Sequence, residues 1–515
     1  MLSRFKSIYF CLFTILIVGL YLIMRLGWHE TIEFGYDQPR LAFVIQDFMR
    51  SGNYINSQSY SLESPWGNYS WGPALVYFYL PFFYISSDPI MISQLVAIFN
   101  VLSILITIYI GKRYFSPVAG LIAGLFLATH PWWEIFSRMI YQPTPVPTFV
   151  ALMILALFFF LEKPKSYAAS AILLLWGLLF QLYISCIYII APAGIVFLSQ
   201  FRKGIFNKYT AFGIILMGII FIPSIYYYSG NSRMLQAFAA VPDKFEGEKK
   251  LIYQRSFEVI KAYFDIVPGG GFNWQLGYAN DIFMGSLPYV VSIQITIRIF
   301  IVVVLLYSGI VLFKKNLTRK VYRLFLLICT VGPLWFMTFV QVPDLLPRYF
   351  ILLLPALALL VGITIDDWMR FIRNRQWKIA SLIPLIIPIA LSTWWVIFIV
   401  KYFTFIGSYD YPLGPLSNFS DIPYTFLDNA LNWIKADADI KGYKEYIVST
   451  DSTKPTEPAL HTASAYYWEY MLKRVIRPAG SSGKYYLLHS TSQRPLTEGA
   501  SARFGPYVVY EYIKK

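Results

Sequence analysis

Long apolar runs separated by short basic turns limit what this chain can fold into more than any other feature. The first extends from about Ile8 to Leu26, and others follow at approximately 90–111, 116–130, 146–161, 168–183, 185–200, 210–228, 290–313, 321–340, 349–365 and 379–400. A helix needs about 20 mostly apolar residues to cross a bilayer. Lipid offers no partner to backbone N–H and C=O groups, so spanning segments of this kind are helices. The expectation is an all-α polytopic membrane protein of about eleven spans.

Charge placement orients it. The turns at 112–115, 162–167, 201–209, 314–320 and 366–378 carry Lys112 and Arg113, Lys163 and Lys165, Arg202, Lys203 and Lys208, Lys314, Lys315, Arg319 and Lys320, and Arg370, Arg373, Arg375 and Lys378. Basic turns stay on the cytoplasmic side, which puts the N-terminus inside. An odd number of spans then puts the C-terminus outside. Arg4 and Lys6 precede the first run, and no small-residue cleavage site follows it, so an uncleaved first span is expected.

The composition agrees: 57% of the 515 residues are hydrophobic and 14% charged, against about 25% charged in soluble domains. The net charge of +15 belongs largely to the inner turns. No basic stripe interleaved with aromatics lies on a polar segment, which argues against nucleic-acid binding. Cys11, Cys186 and Cys329 all fall within apolar runs and cannot form a disulfide framework. The four histidines show no metal-ligand spacing, so the sequence does not support a divalent metal.

Residues 1–400 thus form a transmembrane part with two long outer loops, 27–89 and 229–289, and residues 401–515 are too polar for lipid. The tail carries helical patterns at 424–436 and 463–475 and strand-like runs at 446–448, 485–488 and 507–513. A small α/β domain on the outer face is expected there. In the first loop, Asp37 reads as a helix cap, with Pro39 in the first turn and an apolar face of Leu41, Val44, Ile45, Phe48 and Met49. Such a helix is too short to span and suits the membrane interface; the aromatic stretch 71–84 suggests a second one.

Polar residues of the outer half gather in three places. Glu30, Glu33, Asp37 and Asp47 lie in the first loop; Glu134, Arg138 and Gln142 follow His130; Asp344 and Arg348 precede the run at 349–365. Acids facing arginines at one membrane surface suit a reaction between a hydroxyl and an anionic phosphate in the bilayer. The carboxylate takes the hydroxyl proton, and guanidinium groups hold the phosphate as its charge grows.

These motifs resemble the GT-C glycosyltransferases, in the branch of the protein O-mannosyltransferases and the lipid A aminoarabinose transferase. The match rests on Glu33-Phe-Gly-Tyr-Asp37, on Phe136-Ser-Arg138-Met-Ile-Tyr141-Gln-Pro143, and on Pro347-Arg348-Tyr349 followed by a Leu/Pro-rich run. The resemblance implies inverting transfer of a sugar from a polyprenyl-phosphate carrier to a lipid, glycan or protein acceptor at the outer face. It implies Asp37 as base and Arg348 as carrier-phosphate contact, assisted by Arg138. Where many relatives carry a second acid before the fourth span, this chain reads Tyr141-Gln142-Pro143-Thr144, leaving Glu134, or Glu33, as the candidate auxiliary or acceptor-binding acid.

Plainer readings stand beside these. Asp37 can be a cap alone, Arg348 a headgroup anchor, Arg138 an ordinary loop residue, His130 a span-end residue and Asp47 a solvated helix-end charge. The rival classes are a polyprenyl-linked glycan polymerase or ligase, a lipid or sugar transporter, and a non-catalytic membrane scaffold. A bacterial inner membrane is the expected location, since the outer parts show no cysteine pairing and the tail no retention signal.

Overall fold

The computed structural model describes residues 2–28, 32, 34–35, 37–52, 62–64, 67–69, 72–164, 166–200, 207–229, 251–270, 290–313, 320–340, 345–374, 389–401 apart from 391, 395 and 399, 424–443, 446–449, 466–473, 483–489, 502–504 and 507–511. The helices are α1 (Leu2–Leu26), α2 (Asp37–Ser51), α3 (Pro73–Ile85), α4 (Pro89–Phe99), α5 (Val101–Tyr114), α6 (Pro117–Ala128), α7 (Pro131–Phe136), α8 (Val146–Glu162), α9 (Ala168–Leu182), α10 (Ile187–Ser199) and α11 (Lys208–Ser229). They continue as α12 (Ile252–Ile266), α13 (Val290–Val311), α14 (Lys320–Val340), α15 (Leu354–Asn374) and α16 (Tyr424–Ile440). A short antiparallel pair, β1 (Leu62–Ser64) and β2 (Gly67–Tyr69), lies between α2 and α3.

Among the described residues, five helices are long and apolar enough to cross a bilayer, and six shorter apolar helices accompany them. The chain is a multi-pass integral membrane protein. The run expected at 379–400 lies largely outside the described residues. Proline sets many helix starts, because its missing N–H costs nothing in a first turn. Ser116 adds a side-chain cap to α6, accepting from the Ala119 N–H at 3.0 Å.

The run expected as one span at 90–111 is two helices, α4 and α5, meeting at Asn100. The buried Asn100 amide donates to the Ser137 carbonyl at 2.9 Å and accepts from the Thr148 hydroxyl at 2.9 Å. The expected inner turn at 366–378 is helical through Asn374. Its acids can remain in the helix because they are partnered. Asp366 accepts from the Ser116 hydroxyl at 2.8 Å and pairs with Arg370 at 2.8 Å, while Asp367 pairs with Arg323.

α15 is the central helix, buried along its whole first half and packed against α6, α8, α13 and α14. A helix that is apolar all round can only be satisfied in a core. Its approach to α6 depends on Gly362, where a Cβ would meet the Ala119 carbonyl oxygen at 2.1 Å. α5 and α6 approach as closely at Gly111 and Gly120.

One buried ion pair ties the end of the first span to this core. Arg25 and Glu134 are both fully buried, with Nη1 and Oε2 2.8 Å apart. Arg25 also donates to the Ser137 hydroxyl at 2.8 Å and the Ala128 carbonyl at 2.9 Å, and its guanidinium lies 3.7 Å above the Tyr21 ring.

In the C-terminal part, β3 (Tyr446–Ser449), β4 (Gly483–His489), β5 (Ala502–Phe504) and β6 (Tyr507–Glu511) form a sheet of order β3-β4-β6-β5. The β3–β4 pair is parallel and the others antiparallel, with α16 packed on the sheet. Of the helix expected at 463–475, the described residues form one widened turn, Tyr467–Met471. This turn covers α2: Phe43 packs edge-on against the rings of Tyr466 and Tyr470, at 5.6 and 5.3 Å. α2 is therefore packed between α3 and the C-terminal part rather than lying open in the interface. Asp47, expected to be solvated, accepts from the Tyr470 hydroxyl at 2.7 Å.

Two substitutions test this packing. Arg25→Met leaves Glu134 buried without its nearest cation and should destabilise the protein by about 3–5 kcal/mol, seen as a lower unfolding midpoint in detergent. Adding Glu134→Leu should recover much of that loss. Gly362→Val drives a side chain into the Ala119 carbonyl and should cost about 1–3 kcal/mol by the same measurement.

Candidate active site

Asp37 opens α2, whose Leu41, Ala42, Phe43, Val44 and Ile45 are all buried. Packing these side chains draws the carboxylate inward with them, to 7% exposure. It does not act as the cap read from the sequence. Asp37 is itself the first helical residue, and its Oδ1 has no hydrogen-bond partner. The interactions of the carboxylate are with Arg348, Arg40 and the Tyr141 hydroxyl. Desolvation pushes its pKa up to about 6, although those three groups favour the charged form. The next residue, Gln38, accepts from the Ile140 N–H at 3.0 Å, fastening the helix start to the turn before α8.

Arg348 lies in a 3-10 turn, Pro347–Tyr349, which leads through a second such turn into α15. Its Nη1 donates to the Tyr141 hydroxyl. The guanidinium sits 5.4 Å from the Tyr349 ring centroid, and Tyr349 in turn stacks on Tyr183 at 6.3 Å with 8° between planes. Arg348 keeps a buried Nε without a hydrogen-bond partner. A planar, permanently charged group with an unused donor suits a phosphate.

Tyr141 lies beside Arg348, and its hydroxyl accepts from the guanidinium. The main chain at Tyr141 is held at both ends by Tyr79, which accepts from the Tyr141 N–H at 2.9 Å and donates to its carbonyl at 2.8 Å. The ring stacks on Phe136 at 6.3 Å. In the sequence Tyr141 is one residue of the Phe136–Pro143 motif, and nothing in its local pattern distinguishes it from the other tyrosines.

The remaining expected site residues fare differently. Glu134, the candidate auxiliary acid, is not available to an acceptor: it is fully buried between Arg25 at 2.8 Å and Arg138 at 3.8 Å. Burial raises its pKa, and Arg25 followed by Arg138 opposes that rise. Arg138 is also buried; besides approaching Glu134 it donates to the Trp28 carbonyl at 2.8 Å. Its described contacts thus face the end of α1. Glu30 and Glu33 lie outside the described residues, as does Asp344.

His130 is a span-end residue, as expected. Its Nε2 donates to the Val267 carbonyl at 2.8 Å, and desolvation lowers its pKa to about 4, keeping it neutral. With Trp132, which donates to the Gly270 carbonyl at 2.7 Å, it anchors the end of α12 from the second long loop. Among the described residues no three His, Cys, Asp or Glu side chains form a metal-binding group. Arg25 was the main residue missed by sequence reasoning. A lone arginine at the end of an apolar run was its one signal, since such a charge requires a buried partner.

Comparison with known proteins bears on the fold. Residues 72–227 match the family described as dolichyl-phosphate-mannose-protein mannosyltransferase. The crystal structure of ArnT from Cupriavidus metallidurans bound to undecaprenyl phosphate is similar to this chain with a TM-score of 0.51 at 12% identity, over 98% of each chain. The apo oligosaccharyltransferase of Archaeoglobus fulgidus gives 0.52 at 14% identity, over 95% of this chain and 70% of that one. No curated protein sequence matches the chain. The resemblance drawn from the sequence is upheld at the level of the fold: the chain has the GT-C fold of these two structures, and its residues 72–227 are similar to the mannosyltransferase family.

Proposed function

We propose that this protein is an inverting glycosyltransferase that moves a sugar from a polyprenyl-phosphate carrier to a hydroxyl of a lipid, glycan or protein acceptor. The observation that carries the proposal is a buried Asp37 carboxylate within the field of Arg348, whose guanidinium bonds to the Tyr141 hydroxyl at the head of the central helix. An acid from the first loop and an arginine from the start of α15 have no folding reason to share a low-dielectric site. Phosphoryl-linked glycosyl transfer supplies one.

In this reading the carrier phosphate enters from the bilayer and rests against Arg348. Asp37 accepts the proton of the attacking hydroxyl as its oxygen bonds to the anomeric carbon. The bond from that carbon to the phosphate oxygen breaks, and the departing phosphate carries the negative charge toward the guanidinium. Arg138 and Glu134 support the site from behind through Arg25 and the Trp28 carbonyl. Residues 1–400 form the transferase proper. Residues 401–515 form an extracytoplasmic α/β domain, through which the acceptor is admitted. Its contact with α2 supports a place on the same side of the membrane as Asp37. A bacterial inner membrane suits a polyprenyl-phosphate donor.

The test is transfer by the purified full chain in nanodiscs, from a panel of radiolabelled undecaprenyl-phosphate sugars. Asp37→Asn should lower turnover by about 10²–10⁴-fold, and Arg348→Ala by about 10²–10³-fold, both with unfolding midpoints near wild type. Transfer by Asp37→Asn at the wild-type rate would sink the assignment. The base acts ionised, so wild-type turnover should rise with pH through about 6, the pKa to which burial pushes Asp37, and level off above it.

A further inference from the structure

α12, from the second long loop, has three distinct faces. At 15 residues it is too short to cross a bilayer, and it carries four charged side chains. Arg255, Val259, Tyr263 and Ile266 fall on one side of the helix and are buried. The helix packs against α14, and the Tyr263 ring meets Phe350 edge-on at 6.2 Å, two residues beyond Arg348. His130 and Trp132 fasten its C-terminal end through the Val267 and Gly270 carbonyls.

The second face is polar. Gln254 and Lys261 on it are exposed, Glu258 pairs with Arg255 at 2.9 Å, and Asp265 pairs with Arg298 of α13. The third face is apolar and bare. Tyr253, Phe257 and Ile260 recur at i, i+4 and i+7, with exposures of 68%, 70% and 47%, and Leu251 and Ile252 extend the strip at the helix start. Contiguous apolar strips of this kind are rare on surfaces that meet water alone and mark an interaction site.

The neighbouring span indicates what covers the strip. Toward its C-terminal end α14 displays Trp335 and Phe339, 64% and 50% exposed, with rings 4.5 Å apart. On a helix that crosses the membrane such residues face lipid, and tryptophan there favours the level at which bilayer meets water. α12 rests on this same helix, and its Tyr263 touches the turn into which the chain passes after α14. Its bare strip is as apolar and as open as the lipid-facing surface beside it.

We propose that α12 is a membrane-docking helix. It lies along the bilayer surface next to α14, with Tyr253, Phe257 and Ile260 immersed at the boundary of headgroups and acyl chains. Protein, lipid and water then each meet the face suited to them. The second long loop is thereby seated on the lipid surface beside the turn that carries Arg348. The inference is independent of the roles proposed for Asp37 and Arg348.

Spin labels on the full chain in nanodiscs test it. Cys11 is exposed while Cys186 and Cys329 are buried, so Cys11→Ser leaves a background in which an introduced cysteine takes the label. Tyr253→Cys, Phe257→Cys and Ile260→Cys sample the bare strip, Gln254→Cys and Lys261→Cys the polar one, and Trp335→Cys the lipid-facing span. Collision with oxygen, which concentrates in lipid, is compared with collision with a water-soluble nickel chelate. The oxygen-to-nickel ratio on the bare strip should approach that of the Trp335→Cys label and exceed that on the polar strip by about fivefold. All the changed side chains are exposed, so unfolding midpoints should match wild type, and the three strip positions answer separately. Equal ratios on the two strips would place the bare one in water and overturn the docking. Weak collision with both reagents along the bare strip would overturn it too, because a second copy or another segment of this chain would then be the cover.

Discussion

The site depends on a buried ion pair that does not belong to it. Arg25 ends the first span and Glu134 lies on the short helix α7, and both are withdrawn from solvent and lipid. Each charge would be intolerable at that depth alone, so the pair enforces its own geometry. Through it the end of α1 is held against the segment that follows α7. Arg25 and Asn100 both bond to Ser137, one at its hydroxyl and the other at its carbonyl. From Ser137 the chain runs three residues to Ile140, whose N–H holds Gln38, and one more to Tyr141.

That segment, from Ser137 to Pro145, is irregular backbone buried at the end of an apolar bundle. Such backbone persists only where its polar groups are matched within the protein. The partners come from widely separated elements: Asn100 at the α4–α5 junction, Tyr79 on α3, Gln38 on α2, and Thr144, whose hydroxyl donates to the Met139 carbonyl at 2.9 Å. The same bonds that make the turn tolerable bring Tyr141, Asp37 and Arg348 to one point. Positioning of the site and satisfaction of the backbone are a single requirement here.

A second brace acts from the opposite side of α2. Phe34 packs edge-on against Tyr424 and Tyr466, both at 5.2 Å, and the Tyr424 N–H donates to the Ile32 carbonyl at 2.7 Å. Farther along the helix, Arg50 pairs with Glu469 at 3.3 Å, a half-exposed contact of small energetic weight. The aromatic contacts and the Asp47–Tyr470 bond are the substantive ones. The helix that carries the candidate base is thus held between the membrane bundle and the C-terminal part.

Local patterns determined the membrane class, the helical bundle and the approximate helix positions. Hydropathy and charge act within a span or a single turn, so they can be read from adjacent residues. Asp37 and Arg348 stand out as candidates for the same reason, each lying where an apolar run begins or a polar loop follows one. Tertiary structure alone decided that Asp37 is not a cap, that Glu134 is spent on Arg25, and that Arg348 meets the Tyr141 hydroxyl. It also decided that Asp47 meets Tyr470 across 423 residues of sequence. Pairings at such separations leave no local trace, because a buried charge or hydroxyl states only that it needs a partner. Which partner it finds depends on how the helices pack, and that is settled by close approaches such as Gly362 on Ala119 that belong to the whole bundle.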